Sequence, residues 1–426
     1  MDNSSFCFDR LPKHLFELII LTRLSLRDLI RFGATCHSMR SLAAEIQNYY
    51  HQLPWLMISQ DKDTQTGTFF SLSESKIYHL KLEDVPSQSY CCGSTQGYLI
   101  MANRDENFLY NPFSHDQVSL PQQYVPRQDT ISASNDFRYY FMKAILSSPP
   151  KAGTSQCVVA ALCSNSHVVE LCKPHDAEWS VFSADKDVDN QIIIIYDPGD
   201  EEEEVVALGE KETGKEIVVM DELETEDKLL FSDVLFHKEL LYGLTFRNQL
   251  VRFEIQNTKP TYRILNVLPM EMPLDTTVQY INNYLVESCG ALLMVYRFRK
   301  CRGRRKYGRV HITINFLVFK LDESSDVPQW VELKSIGDQM IFLGRNSSIS
   351  ISAKGVPGFK GNCIYFTEDS RSYYFGESHK RPYCSDNGIF YLEDGHIASL
   401  FTPDDTHTFN IQPIWVTPYK INAMQL

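Results

Sequence analysis

The stretch Gly97-Tyr-Leu-Ile-Met-Ala-Asn103, followed after four residues by Phe108-Leu-Tyr-Asn-Pro112, decides how the chain folds. Both are short apolar runs, rich in aromatic and aliphatic side chains, and both end in residues that make turns. The texture recurs in Val234-Leu-Phe-His237, Leu241-Tyr-Gly-Leu-Thr245 and Leu250-Val-Arg-Phe-Glu-Ile255. It returns in Asn362-Cys-Ile-Tyr-Phe-Thr367, Gly388-Ile-Phe-Tyr-Leu-Glu393 and His396-Ile-Ala-Ser-Leu-Phe401. Short strands about ten residues apart predict an all-β sandwich, barrel or propeller. The tract from residue 55 onward is too long for one simple sandwich, whereas a propeller lengthens by adding blades. No strict repeat such as a Trp-Asp dipeptide recurs, so the blades are not countable from the sequence.

Working outward, residues 8–50 have a different period. Leu15, Leu18 and Ile19 fall at i, i+3, i+4, the stripe of an amphipathic helix. Pro12 suits a first helical turn, where its missing N–H has no partner to lose. Ser25 with Asp28 resembles a capping box and opens a second helix through Arg31 and Phe32; a third runs from about His37 to Gln47. The expected fold class is therefore mainly β with a small α N-terminal domain.

Composition sets further bounds. The chain has 426 residues, 43% of them apolar, which suffices for a large core. No segment approaches the ~20 apolar residues of a membrane-spanning helix. Met1 to Arg10 lacks the basic start and apolar stretch of a signal peptide, so an intracellular soluble protein is expected, with nucleus or cytoplasm undecided. The eleven cysteines have irregular spacing and no Cys-x-x-Cys, which predicts reduced, mostly buried thiols. The net charge of −13 is concentrated: Asp197 to Asp227 holds fourteen acidic residues and two lysines, a net of −12. Runs of this kind usually stay solvated, so 197–227 reads as a loop insertion, with room for one strand at Glu216–Met220.

Residues 11–42 resemble an F-box. The matching features are Leu11-Pro12, Leu15, Ile19, Arg23-Leu24, Asp28-Leu29, Arg31-Phe32, Cys36 and Arg40-Ser41-Leu42. The stretch departs from the pattern at Lys13, His14 and Met39 and carries one extra residue between Pro12 and Leu24. The remaining sequence resembles the KIB-like β-propeller of plant F-box proteins. That likeness rests on Pro54-Trp-Leu-Met-Ile58, Phe69-Phe-Ser-Leu-Ser-Glu74, Cys91-Cys-Gly-Ser-Thr-Gln-Gly-Tyr-Leu99, Asn111-Pro-Phe113 and Lys143-Ala-Ile-Leu-Ser-Ser148. It continues in Asp233-Val-Leu-Phe-His237, Tyr284-Leu-Val-Glu-Ser288, Phe342-Leu-Gly-Arg-Asn-Ser-Ser348, Gly361-Asn-Cys-Ile-Tyr-Phe-Thr367, Asp386-Asn-Gly388 and Pro413-Ile-Trp415.

The resemblance, rather than strand spacing, favours a propeller over a barrel. It implies an F-box at 8–50 and a propeller at 51–420 interrupted by 197–227. It implies a non-catalytic substrate receptor of a Skp–cullin–F-box ubiquitin ligase. Leu11, Pro12, Leu15, Ile19, Leu24 and Leu29 would bind the Skp-type adaptor, and through it cullin, while the propeller holds a target protein. No cofactor, metal or membrane is expected, and nucleic acid is not expected as the partner. Two alternatives stay open: an interaction protein whose F-box no longer engages a ligase, and a ligand-sensing or enzymatic propeller.

Other motifs carry less. Leu343-Gly-Arg-Asn-Ser-Ser348 lacks the spacing of a phosphate-binding loop and reads as a turn, with Arg345 in a ligand pocket as the sharper option. No Gly-x-Ser-x-Gly or His-Glu-x-x-His occurs, and His115-Asp116 and His175-Asp176 read as turns. Arg297 to Arg309 holds eight Lys or Arg and no acid, between Leu292-Leu-Met-Val-Tyr296 and His311-Ile-Thr-Ile-Asn-Phe-Leu-Val-Phe319. Those flanks predict paired antiparallel strands with the basic run at the hairpin tip. Three readings compete for it: a solvated loop, a nuclear import signal or nucleic-acid contact, and a partner for the acidic segment or an acidic substrate.

Overall fold

The computed structural model describes residues 53–122, 141–183, 229–255, 261–268, 278–305, 308–369, 386–401 and 409–418, with short interruptions at 88, 104–105, 151–156, 164–167, 279, 345, 355, 357 and 410. The helices expected in 8–50, the acidic segment 197–227 and Arg345 lie outside these residues.

The described chain forms six sheets, each built mainly of strands consecutive in sequence. Blade 1 begins with β1 (Trp55–Asp61), β2 (Thr66–Ser71) and β3 (Lys76–Lys81). Blade 2 is β4 (Tyr90–Thr95), β5 (Tyr98–Ala102), β6 (Asn107–Tyr110) and β7 (Gln117–Leu120). Blade 3 is β8 (Phe141–Leu146), β9 (Val159–Cys163), β10 (Val168–Cys172) and β11 (Ser180–Ser183). Blade 4 is β12 (Phe231–His237), β13 (Leu240–Thr245), β14 (Leu250–Glu254) and β15 (Thr261–Ile264). Blade 5 is β16 (Tyr280–Ser288), β17 (Ala291–Arg305), β18 (Gly308–Asp322) and β19 (Gln329–Leu333). Blade 6 is β20 (Gln339–Leu343), β21 (Ile349–Ser352), β22 (Cys363–Phe366), β23 (Gly388–Tyr391) and β24 (Ile397–Ala398). The last strand, β25 (Ile414–Val416), returns to pair with β1, so the fold is a six-bladed propeller whose first blade is completed by the end of the described chain.

The two opening motifs become β5 and β6, and every residue of both strands is buried. Continuous rather than alternating apolarity follows from position: a mid-blade strand has a neighbouring blade over each face. The core is accordingly six slices, one between each pair of adjacent blades. Ile100 and Leu109 pack with Ala144 and Ala161 between blades 2 and 3, whereas Leu99 and Phe108 face Met57 and Phe69 of blade 1.

Blade 6 breaks the up-and-down pattern. Its β20 and β22 run parallel, and parallel neighbours need a crossover rather than a tight turn. The crossover is residues 344–362, which first pair back on β20 as β21. Near its end stands Gly361, where a Cβ would lie 2.4–2.6 Å from the backbone of Asp338, so only glycine fits. That contact accounts for the glycine of Gly361-Asn-Cys-Ile.

Around the inner strands a circuit of polar contacts ties blade to blade. Ser94 Oγ donates to the Trp415 carbonyl, and Leu146 N donates to Thr95 Oγ1 at 3.1 Å. Lys143 pairs with Asp233, whose other oxygen accepts from Leu285 N at 2.8 Å. Ser288 and Ser350 hydroxyls lie 2.8 Å apart, Ser347 N donates to the Ser94 carbonyl at 3.0 Å, and Trp415 Nε1 donates to the Leu343 carbonyl at 3.2 Å. The turn at 344–348 thus does more than serve its own backbone, because Ser347 reaches blade 2.

Trp415 is wholly buried, edge-on to Phe342 and Tyr365. Trp415→Ala should cost about 3–5 kcal/mol, read as a lower urea midpoint; Trp415→Phe should recover much of the packing but not the bond to Leu343.

Candidate functional site

The inner strands begin on one face, here called the upper face. Leu230, one residue before β12, accepts from Phe246 N at 2.9 Å, and Phe246 follows β13 directly. Asn283, near the start of β16, donates to Asn248 Oδ1 at 2.9 Å in the β13–β14 turn. The start of β12, the β13–β14 turn and the start of β16 therefore share that face. Since Tyr280 at the start of β16 pairs with Arg299 of β17, the β17–β18 hairpin also emerges there.

The hairpin expected from sequence is present, with Leu293 to Arg305 paired against Gly308 to Lys320. The reading of its basic run as a solvated tip needs correction at two positions: Arg297 is 0% exposed and Arg299 is 3% exposed. The phase explains this. Leu293, Val295, Arg297 and Arg299 alternate along one face of β17, and the first two pack in the slice between blades 5 and 6 with Ile341, Ile364 and Phe366. The arginines continue that row toward the upper face and meet carboxylates from blade 6.

The contacts form a closed network. Arg297 donates to Thr313 Oγ1 at 2.8 Å, the Thr367 carbonyl at 2.9 Å, Asp369 Oδ1 at 3.2 Å and Asp386 Oδ2 at 3.0 Å. Its guanidinium lies 4.8 Å from the centre of the Phe366 ring, a cation–π contact. Arg299 pairs with Asp369, with Asp386 Oδ2 at 3.3 Å and with Glu368 at 4.0 Å. Tyr284 donates its hydroxyl to Asp369, and Thr313 donates both N–H and hydroxyl to Asp386 at 2.9 and 2.8 Å.

Burial pushes Glu368 up to about 7, against the pull of Arg299. Burial would also raise Asp369, but Arg299 and Arg297 outweigh it and hold that carboxyl at about 2. The neighbouring carboxyls of Asp386 and Asp369 push Glu368 in the same direction as burial.

Carboxylates of blade 6 converge here on two arginines of blade 5. The arrangement is a buried clamp joining blades 5 and 6 at the root of the hairpin. Among the described residues no group of three or more His, Cys, Asp or Glu is placed to hold a metal ion, and no helix is long and apolar enough to cross a membrane. His115 and His175 both sit in turns, at φ of 62° and 68°. Seven described cysteines are free thiols, four of them buried. The sequence-predicted adaptor contacts Leu11, Pro12, Leu15, Ile19, Leu24 and Leu29 lie outside the described residues. The clamp went unread because its acids, Glu368, Asp369 and Asp386, stand in a different blade; the only signal in the sequence was the alternation that carries Arg297 and Arg299 in phase with Leu293 and Val295.

Comparison with known proteins places the chain. The KIB1-4 β-propeller family model matches residues 69–391. The Arabidopsis thaliana F-box protein At4g35733 is 24% identical over 372 residues, which cover 84% of this chain and 88% of its own. F-box protein SKIP23 of the same plant is 22% identical over 441 residues, covering 96% of this chain and 95% of its own. Among solved structures, the β-propeller domain of Cps50 (Swd1) aligns over 82% of this chain and 85% of that one, at 10% identity and a TM-score of 0.32. The blade count rests on the chain's own sheets.

Two outcomes follow from the clamp. Arg297→Met should cost on the order of 3–5 kcal/mol, because it leaves buried carboxylates uncompensated; adding Asp386→Asn should restore part of the loss in urea unfolding. For Glu368, the folded value lies above the ordinary carboxyl value of 4.5, so folding takes up a proton, and stability falls as pH rises from 4.5 toward about 7. Glu368→Gln removes that dependence. It should gain on the wild type between about pH 5 and pH 8, by on the order of 1–3 kcal/mol.

Proposed function

The chain belongs to the KIB1-4 β-propeller family, and from that membership we propose that it is the substrate-receptor subunit of a Skp–cullin–F-box ubiquitin ligase. The observation that carries the proposal is how far its relatives extend. Proteins named as F-box proteins match as much as 96% of the chain, well past residues 69–391 of the family model. The stretch beyond the propeller holds the Leu11–Leu42 motif.

In this reading residues 8–50 are the F-box and 51–420 the propeller, with 197–227 inserted. A helical segment of some 40 residues is too small to bury a sturdy core alone. Its aliphatic side chains Leu11, Leu15, Ile19, Leu24 and Leu29, with Pro12, supply the face that meets the Skp-type adaptor. Each such side chain removed from water contributes roughly 1.5–3 kcal/mol, so a few anchor an interface. The propeller holds the target. The subunit is non-catalytic: it raises the effective concentration of target lysines near a ubiquitin thioester carried by a partner.

A second reading, an interaction protein that no longer engages a ligase, draws on Met39 and the extra residue before Leu24. Recovery of cullin with the full chain eliminates it.

The direct test is binding to purified adaptor. Leu11→Ala with Pro12→Ala should weaken binding by tenfold or more, about 1.4 kcal/mol or above. Equal binding by both forms, or binding by neither, rejects the assignment.

A further inference from the structure

The β17–β18 hairpin is far longer than its blade requires. β16 pairs with β17 only as far as Arg299, and β19 pairs with β18 only from Val318. Beyond Arg299, the pairs Lys300↔Ile312 to Arg305↔Gly308 continue as a two-stranded ribbon with no third strand among the described residues. The ribbon strands carry Lys300, Arg302, Arg304, Arg305 and Arg309 and no acid. Arg297 and Arg299, immediately before it, are paired with acids of blade 6, whereas the ribbon strands contribute five further cations by sequence. An isolated two-stranded ribbon is marginal in water, and five like charges on it repel, so an anionic occupant would stabilise it.

We propose that this occupant is the chain's own acidic segment, residues 197–227, which binds the basic ribbon in cis. Three observations converge. The first is charge: a net of −12 in the segment faces five cations on the ribbon, while the rest of the chain is close to neutral. The second is topology. The segment lies between β11 and β12. Blade 3 alternates as blade 4 does, so β11 ends, and β12 begins, on the upper face from which the ribbon leaves. The third is reach. Asp227 precedes Leu230 by three residues, and Leu230 is bonded to Phe246 beside the blade that carries the ribbon. Packed sheets lie about 10 Å apart, whereas ten residues of chain span roughly 33 Å. A tether this short gives an effective concentration on the order of millimolar. The individual ion pairs are weak and screened, and their number with the tether makes the contact. A free acidic protein segment would have to displace the tethered one.

The test uses the full chain and a fluorescent oligoglutamate peptide as probe. Replacing the acids of 197–227 by Asn and Gln should tighten peptide binding at low salt by about tenfold or more. The gain should vanish in high salt and when Arg302→Ser, Arg304→Ser and Arg305→Ser are added. Equal peptide binding before and after neutralisation overturns the proposal. So does uptake of a DNA duplex, but not of the peptide, by the neutralised chain, which would make the ribbon a nucleic-acid surface. Carbodiimide cross-linking of the unmodified chain supplies a readout independent of any variant. A bond from Lys300 or Lys306 to a carboxyl within 197–227 is expected, and lysine cross-links confined to other acids overturn it.

Discussion

A ring of sheets has to be closed, and here closure rests on three residues. β25 contributes only Ile414, Trp415 and Val416 to the first blade. So short a strand offers few ladder hydrogen bonds, and the side chain of the middle residue does most of the joining. Its indole fills the slice between blades 6 and 1 and bonds to the end of β20, while its carbonyl accepts from Ser94 of blade 2. One residue thus touches three blades. Opening the ring at this point uncovers a whole apolar slice and removes the support on which the remaining inner strands lean through Thr95, Asp233 and Ser288. The blades are individually simple, and the ring makes them interdependent.

Much of this was legible in the sequence, and what was not has a common cause. The strands were readable because each is a local pattern: Leu241 to Thr245 and Cys363 to Phe366 lie where apolar runs end in turn residues. The blade count was not readable, because these blades share a position around an axis rather than a motif. The closing strand pairs with residues at the opposite end of the described chain, and no window spans Ser94 and Trp415. The basic run reads from sequence as a single feature at a hairpin tip, because charge counted along a chain does not register acids in another blade. Asp369 and Asp386 follow Arg297 by 72 and 89 positions. Only the strict alternation from Leu293 to Arg299 marked two of the arginines as inward.

The clamp between blades 5 and 6 sits badly with stability taken alone, since burying two guanidiniums and three carboxyls costs desolvation that ion pairing only partly offsets. Its geometry suggests what it does instead. Arg297 fixes the register of β17 against both ends of the segment joining β22 to β23, through Thr367 and Asp369 on one side and Asp386 on the other. An apolar pair of the same volume would fill the space without fixing which residues meet. The clamp also stands where β17 leaves the sheet, so the ribbon springs from a root held in place by several directional bonds.

That root bears on how the chain's charge should be understood. The total is −13 and residues 197–227 account for −12, which leaves −1 for everything else. The acidic composition is therefore the property of one stretch of sequence rather than of the chain as a whole. At physiological ionic strength the Debye length is about 8 Å, so the acidic segment influences the ribbon only when it is next to it. A diffuse field across the propeller face would be screened away. Whatever couples the two must be connectivity: a polyanion that enters β12 beside the β13–β14 turn, and a polycation whose base is fixed one blade further on. On total charge alone an acidic target is a poor candidate. The local arithmetic says otherwise, because the surface such a target meets depends on whether the tethered segment is in place, and that is decided by the competition between a tethered and a free anion for the same ribbon.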